Sequence, residues 1–343
     1  MSLPLLQKTI IQKKIDLAIF LDEDLSIPYL TGFTPSHAVF IVGTKSVMYL
    51  TKLDSPPKMR GVVTKILPKE WTKKLVDERV RKVGINKKSM TVSQLESVKK
   101  VFPKAKVVDV SKELDDIRSR KTQDEVLRIQ KACVITSAAF AALVKELPLK
   151  KLKTEMDVAF FLEKFMRSKG CTLAFPTIAA MGKNAATPHH VTGNARLKRG
   201  FLLVDFGARF ENYCADMTRC VFLGTPNKEE KMLYTLLLEA QELGISLVEE
   251  GKSFVEIDAE VKKKLGKYAK WYVHSLGHGI GVEVHEEPFY RKGVKIRKGQ
   301  CFTIEPGIYI PGKIGLRIED TLHFDLKVTI LTKASKKLQS VKF

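Results

Sequence analysis

The sequence predicts an α+β fold in two parts, a smaller α/β domain over residues 1–118 and a larger α+β domain over residues 119–343. Between residues 15 and 115, short apolar β-rich runs alternate with helical ones, the pattern of strands with helices between them. Beyond residue 122 the helical periodicities lengthen and strand-like stretches cluster between them, as in helices packed on an antiparallel or mixed sheet. The side chains able to hold metal ions gather in this second part.

In the first part KIDLAIFLD, AVFIVGTKSVMYLT, RKVGINK and KAKVVDV read as strands, and residues 70–80 and 92–102 as helices. No carboxylates converge there, so this domain is expected to shape or cover a site. The boundary falls near 115–122. There Thr122 and Glu125 form a capping box that opens the amphipathic helix EVLRIQKACVITSAAFAALVKE. Helices follow at 154–169, 228–249 and 254–267, and FLLVDFGARF, NYCADMTRCVFL, QCFTIEPGIYI and GLRIEDTLHF read as strands.

At 343 residues and 44% hydrophobic content the chain can bury two cores. No apolar run approaches the roughly 20 residues that span a bilayer, and the N-terminus lacks the ordered regions of a signal peptide. We therefore expect a cytoplasmic protein with no membrane partner. Five scattered cysteines without a CxxC fit reduced thiols. Cys214 and Cys220 share a strand face with Asp216, but hard ligands suffice nearby, so both are expected to pack beside the site rather than ligate. The net charge of +21 comes mostly from lysine, with local runs at 148–153 and 262–270. A nucleic-acid binder concentrates arginine and aromatic residues on one face. Dispersed lysines read instead as solvated helix faces and turns, and nucleic acid is not expected as a partner.

Five side chains carry the chemistry: Asp205 and Asp216 in VDFGARFENYCADMTR, His278 in SLGHGIG, Glu305 in TIEPGIY and Glu319 in LRIEDT. Asp205 follows an apolar run that should bury it, and a buried carboxylate needs a partner or a metal. Gly207 and Asn212 point to a turn that returns the chain from Asp205 to Asp216. Glycines on both sides of His278 leave its ring unobstructed. Glu305 and Glu319 lie on strand-like stretches, where two buried carboxylates repel unless a cation lies between them. Four carboxylates and an imidazole suit two divalent ions that activate a water and polarise a carbonyl.

The strings AFPTIAAMGKNAATPHH, LLVDFGARFENYCADMTR, HSLGHGIGVEVHEEP, TIEPGIY and LRIEDT resemble the proline-specific metallopeptidases of the pita-bread fold. That group holds Xaa-Pro dipeptidase (prolidase) and Xaa-Pro aminopeptidase, with methionine aminopeptidase and creatinase as relatives. The opening IDLAIFLDEDLSIPYLTGF and the junction RSRKTQDEVLRIQKA are similar to those of the group's creatinase-type members. The resemblance implies a pita-bread metallopeptidase catalytic domain preceded by a smaller creatinase-like α/β domain. It implies hydrolysis of the bond before proline, in Xaa-Pro dipeptides first and in longer peptides as the alternative. The different-class alternative is an inactive pita-bread protein that binds protein or RNA partners.

Carried over by position, the resemblance implies that Asp205 chelates one metal and that Asp216 and Glu319 bridge two. His278 and Glu305 complete the second, and Glu305 also shuttles a proton to the leaving nitrogen. His189 and His285 would hold the substrate and stabilise the tetrahedral intermediate. His274 and Arg317 would support the site as contacts to substrate or to the ligands, and Phe175 and Pro176 would shape a wall. Mn²⁺ or Co²⁺ suits this donor set best, with Zn²⁺ or Fe²⁺ feasible. A homodimer is expected. One departure is Cys220, which follows Thr218–Arg219 where the group often has threonine or another small residue.

Overall fold

A computed structural model describes residues 2–342, which divide into two compact units, one up to residue 118 and one from residue 119 onward. The first unit is built on a six-stranded sheet in the order Val62–Ile66, Ser46–Leu50, Ala38–Val42, Leu17–Leu21, Lys82–Ile85, Lys106–Asp109. The middle strands pair antiparallel as a meander, and both flanks pair parallel. Ile19, Leu21, Val83 and Ile85 form the core of one face with Val98 and Val101 of the helix Val92–Val101. That helix opens on a capping box between Thr91 and Gln94.

The expected helix over 70–80 is confined to Trp71–Lys74. Asp77 ends it: its carboxylate accepts the Arg79 amide, and its own N–H goes to the carbonyl of Val101. The helices Leu3–Gln12 and Ser111–Ser119 were not predicted.

The second unit packs four long helices, Gln123–Glu146, Glu155–Ser168, Lys228–Ser246 and Phe254–Leu265, against short sheets. Each opens on a capping box, at Thr122, Thr154, Asn227 and Ser253. One sheet orders Gln339–Val341, Met217–Leu223, Gly200–Phe206 and Ile178–Met181, and another orders Glu286–Phe289, His278–Gly279, Gln300–Ile304, Asp320–Phe324 and Val328–Ile330. The hairpin Gly307–Ile310 with Ile314–Arg317 stands beside them. A continuous core of Phe201, Phe222, Tyr234, Phe254 and Phe302 fills the space between sheets and helices, with Phe201 edge-on to Phe222 at 4.8 Å.

The helix Gln123–Glu146 bears on the expectation that the protein has no membrane partner. With the turn that follows it, it is long and apolar enough to cross a membrane by length and composition alone. It packs nonetheless as a core helix. Ile129, Ala132, Cys133, Thr136 and Phe140 are buried along one stripe, and Thr136 Oγ1 accepts the Ala208 N–H at 2.9 Å. The lysine runs at 148–153 and 262–270 are largely exposed, as expected of solvated faces.

Candidate metal centre

Five separated segments converge on one cavity of about 1040 Å³. Asp205 lies on the strand Gly200–Phe206, which pairs antiparallel with Met217–Leu223 so that Asp205 faces Thr218. Residues opposite one another in an antiparallel pair share a face, and Asp216, two residues before Thr218, shares it too. The return between the two aspartates is a tight turn at Glu211 and Asn212, both at positive φ (45° and 71°), as a type I′ hairpin demands. Gly207 is therefore no turn residue. It sits where a Cβ would meet the Ala215 carbonyl oxygen at 1.8 Å, so glycine lets the two strands close together.

His278 enters from the strand His278–Gly279, and its backbone N–H donates to Thr303 Oγ1 at 3.1 Å. Glu305 follows the strand Gln300–Ile304, which stops before Pro306; the chain re-enters a strand at Gly307. Glu319 sits between the strands Ile314–Arg317 and Asp320–Phe324. One donor atom each from Asp216, His278 and Glu319 lies within 4.8 Å of the others. His278 Nε2 is 3.6 Å from Asp216 Oδ2 and 3.3 Å from Glu305 Oε1. Asp205 lines the same cavity but turns Oδ2 to Arg317 Nη2 at 2.6 Å.

The electrostatics ask for a cation. Asp205 Oδ1, Asp216 Oδ1 and Glu319 Oε1 are buried without a hydrogen-bond partner, a costly state for a carboxylate. Burial, then repulsion from Glu319, Asp205 and Glu305, pushes the Asp216 carboxyl well above its ordinary range. Burial and the charges of Glu305 and Asp205 do the same to Glu319. Burial pushes Glu305 up to about 8, with Arg317 pulling down and Asp205 pushing up. His278 is driven the other way, to about 3, by burial and by the neighbouring His285. Its Nδ1 faces the Gly279 carbonyl at 3.1 Å and so carries the proton, leaving the Nε2 lone pair aimed at the carboxylates. Hard oxygen donors with one neutral imidazole fit a divalent ion of intermediate softness.

Around these residues runs a hydrogen-bond chain that fixes Arg317. Its Nε donates to Thr218 Oγ1 at 2.9 Å, Thr218 Oγ1 donates to Glu319 Oε2 at 2.7 Å, and Nη1 donates to the Tyr309 hydroxyl at 2.7 Å. Tyr309 in turn meets His274 Nε2 at 2.8 Å, while His274 Nδ1 faces the Ser275 carbonyl at 2.8 Å. Both His274 nitrogens and the Arg317 fork are thus engaged inside the protein. Burial, helped by Arg317, lowers His274 to about 4, so it stays neutral. Neither Thr218 nor Tyr309 is marked as a site residue by the sequence. Strand alternation from Asp216 would have placed Thr218 on the site face.

His189 and His285 line the cavity and are exposed to it. The His285 ring meets that of His278 at 4.2 Å. His190 turns away from this role, with Nε2 2.9 Å from Glu155 Oε2. Phe175 and Pro176 form part of the wall. Cys214 and Cys220 are buried, and burial raises Cys220 to about 11, far from a thiolate ligand.

Residues 128–325 match the family described as metallopeptidase family M24, and residues 3–120 match the creatinase/prolidase N-terminal domain. The chain belongs to metallopeptidase family M24. The M24 chain is 34% identical to the Xaa-Pro dipeptidase of Pyrococcus horikoshii over 89% of each sequence. The solved prolidase of that organism superposes with a TM-score of 0.89 at 29% identity, covering 98% of this chain and 99% of its own. The X-Pro aminopeptidase of Thermotoga maritima gives 0.89 at 28% identity, covering 96% and 98%. The M24 fold expected from the sequence, a pita-bread domain preceded by a creatinase-type domain, is the fold observed. As an M24 metallopeptidase the protein is a hydrolase that works with divalent ions, and Asp216, His278 and Glu319 are a candidate site for them.

Proposed function

We propose that this M24 enzyme hydrolyses the peptide bond preceding proline, in Xaa-Pro dipeptides first, with two divalent ions held by Asp205, Asp216, His278, Glu305 and Glu319. One observation carries the reading: all five side chains open on one cavity, and three of their buried carboxylate oxygens lack any protein partner. Mn²⁺ or Co²⁺ fits this donor set, with Zn²⁺ or Fe²⁺ feasible. When bound, the ions supply Lewis acidity and a water of lowered pKa.

The protein's own residues do the rest. The nitrogen of an Xaa-Pro bond carries no N–H and leaves only once it is protonated. Glu305 would take a proton from the attacking water and pass it to that nitrogen. His285 and His189 stand at the cavity wall, where each can donate to a developing oxyanion. Arg317, fixed by Thr218 and Tyr309, holds Asp205 in place. Phe175 and Pro176 offer an apolar wall to the proline ring. A cytoplasmic homodimer belongs to the same reading, and light scattering of the purified protein tests the dimer.

One observation favours the longer-peptide alternative. The free carboxylate of a dipeptide calls for a cation, yet Arg317 is the one lysine or arginine among the described residues lining the cavity, and it is engaged. The cationic excess of the chain does not reach the site. Hydrolysis of Met-Pro, Met-Ala and Met-Pro-Ala by metal-stripped enzyme with Mn²⁺ or Co²⁺ restored separates the readings. Turnover of Met-Pro alone identifies a dipeptidase, and release of Met from Met-Pro-Ala an aminopeptidase. Preference for Met-Ala, or no turnover with ions bound, overturns proline specificity.

A further inference from the structure

Behind the metal centre lies a second polar cluster that no step of the chemistry uses. Arg219 is 1% exposed, the largest fully buried side chain described, and it points away from the cavity because its neighbour Thr218 points into it. Nη1 donates to the carbonyls of Thr218, at 3.0 Å, and Glu319. Nη2 donates to Asp320 Oδ1 at 2.6 Å and to the Ala334 carbonyl at 2.9 Å.

Asp320, also 1% exposed, gathers the other donors. Thr332 Oγ1 reaches Oδ1 at 2.7 Å, while Gln241 Nε2 and Lys336 Nζ each reach Oδ2 at 3.0 Å. Gln241 also contacts the Ile304 carbonyl at 3.4 Å and accepts from Lys336 at 2.8 Å. Besides the Ala334 carbonyl, the cluster therefore grips three main-chain carbonyls beside the metal centre, those of residues 218, 304 and 319. One belongs to Glu319 itself, one to the residue before Glu305, and one lies two residues past Asp216. The Glu319 N–H to Thr218 carbonyl bond, 3.1 Å, closes the frame.

We propose that Arg219 is a positioning residue for the metal centre: through Asp320 and these carbonyls it sets the spacing of Asp216, Glu305 and Glu319, and so the affinity for the ions. The inference rests on the metal-centre reading given under Proposed function. Rigid support of ligands from behind typically changes metal affinity 10–100-fold, and no direct contact with the ion is needed.

Charge and position predict opposite signs, which makes the test decisive. Arg219→Met removes a cation near a cation site, so electrostatics alone would leave Mn²⁺ binding unchanged or tighten it. Loss of positioning weakens it. Calorimetric titration of chelator-treated protein with Mn²⁺ is the measurement, beside the melting temperature of the ion-free form. We expect two ions on the parent, and on Arg219→Met an affinity lower by about 10–100-fold. Arg219→Lys, which keeps one donor and the charge, should recover part of it.

If the single variant does not fold, the charge-neutral pair Arg219→Met with Asp320→Leu replaces it, since apolar replacement of a buried ion pair is often neutral for stability. It should fold and still bind Mn²⁺ weakly. A folded variant of either kind with parental or tighter affinity overturns the inference, even if its ion-free melting temperature drops. A parent that binds no ions overturns the metal-centre reading itself, and the inference with it.

Discussion

Stripping the ions should turn the site into a source of instability, and Glu305→Gln should relieve it. Glu305 has 14% of its side chain exposed, and its carboxyl stands at about 8 against an ordinary 4.5. A carboxyl raised in the folded state binds its proton more tightly there than in the unfolded chain. Its favourable contribution is thus complete below the unfolded value and is lost as pH rises to the folded one. At about 1.4 kcal/mol per pH unit the loss is nil at pH 4.5, about 3 kcal/mol at pH 7 and about 5 kcal/mol above pH 8.

Glutamine has nearly the same shape and no charge to lose. In chelator the variant should melt with the parent at pH 4.5 and above it at pH 7. For a unit of this size about 2–4 °C per kcal/mol gives a gap of about 6–12 °C. Adding Mn²⁺ should stabilise the parent more than the variant, while the variant loses most of its activity. Differential scanning calorimetry across pH 4.5–8, with and without ions, is the assay. A variant that melts at or below the parent at pH 7, with no gap opening as pH rises, would refute the account of the site as mutually repelling carboxylates. A variant with near-parental turnover would refute the proton-shuttle role.

Three further outcomes are expected. His189→Ala should cut turnover while leaving the melting temperature nearly unchanged, whereas His190→Ala should cost about 1–3 kcal/mol by removing a donor from fully buried Glu155; reversal of the two phenotypes would exchange their roles. Gly277→Ala should lower stability by about 1–3 kcal/mol and weaken Mn²⁺ binding in titration, because its Cβ would lie 2.2 Å from the Thr303 carbonyl oxygen, beside the hydroxyl that positions His278 and Glu305. Iodoacetamide at pH 8 should leave the folded protein unmodified by mass spectrometry and label it in denaturant. All five thiols are buried, and burial pushes Cys220 up to about 11 and Cys301 to about 12.

What was legible in the sequence follows from how local its causes are. The capping box at Thr122 and Glu125 is written within four residues and marks the start of the helix to within one or two positions. Strand alternation around Asp205 and Asp216 is equally local, and so are the glycines flanking His278. The Arg219 network is not: its partners lie about a hundred residues downstream, and a lone Thr-Arg pair gives no hint of them. The Tyr309–His274 contact likewise joins residues 35 apart. The expected helix at 70–80 fails on one side-chain contact of Asp77, which periodicity does not register. The turn between the aspartates falls at Glu211 and Asn212 rather than at Gly207, because glycine there serves close approach.

The hairpin that carries those aspartates also acts as a ruler with a parity rule. Asp205 and Asp216 face the same cavity because side chains alternate and the strands pair with Asp205 opposite Thr218. Removing one residue from 207–215 would move Asp216 to the back of the sheet, where the space is filled by core. Removing two would keep the face and shorten the arm. Natural or engineered length changes in this loop are therefore tolerable only in twos, and best at the exposed tip around Glu211.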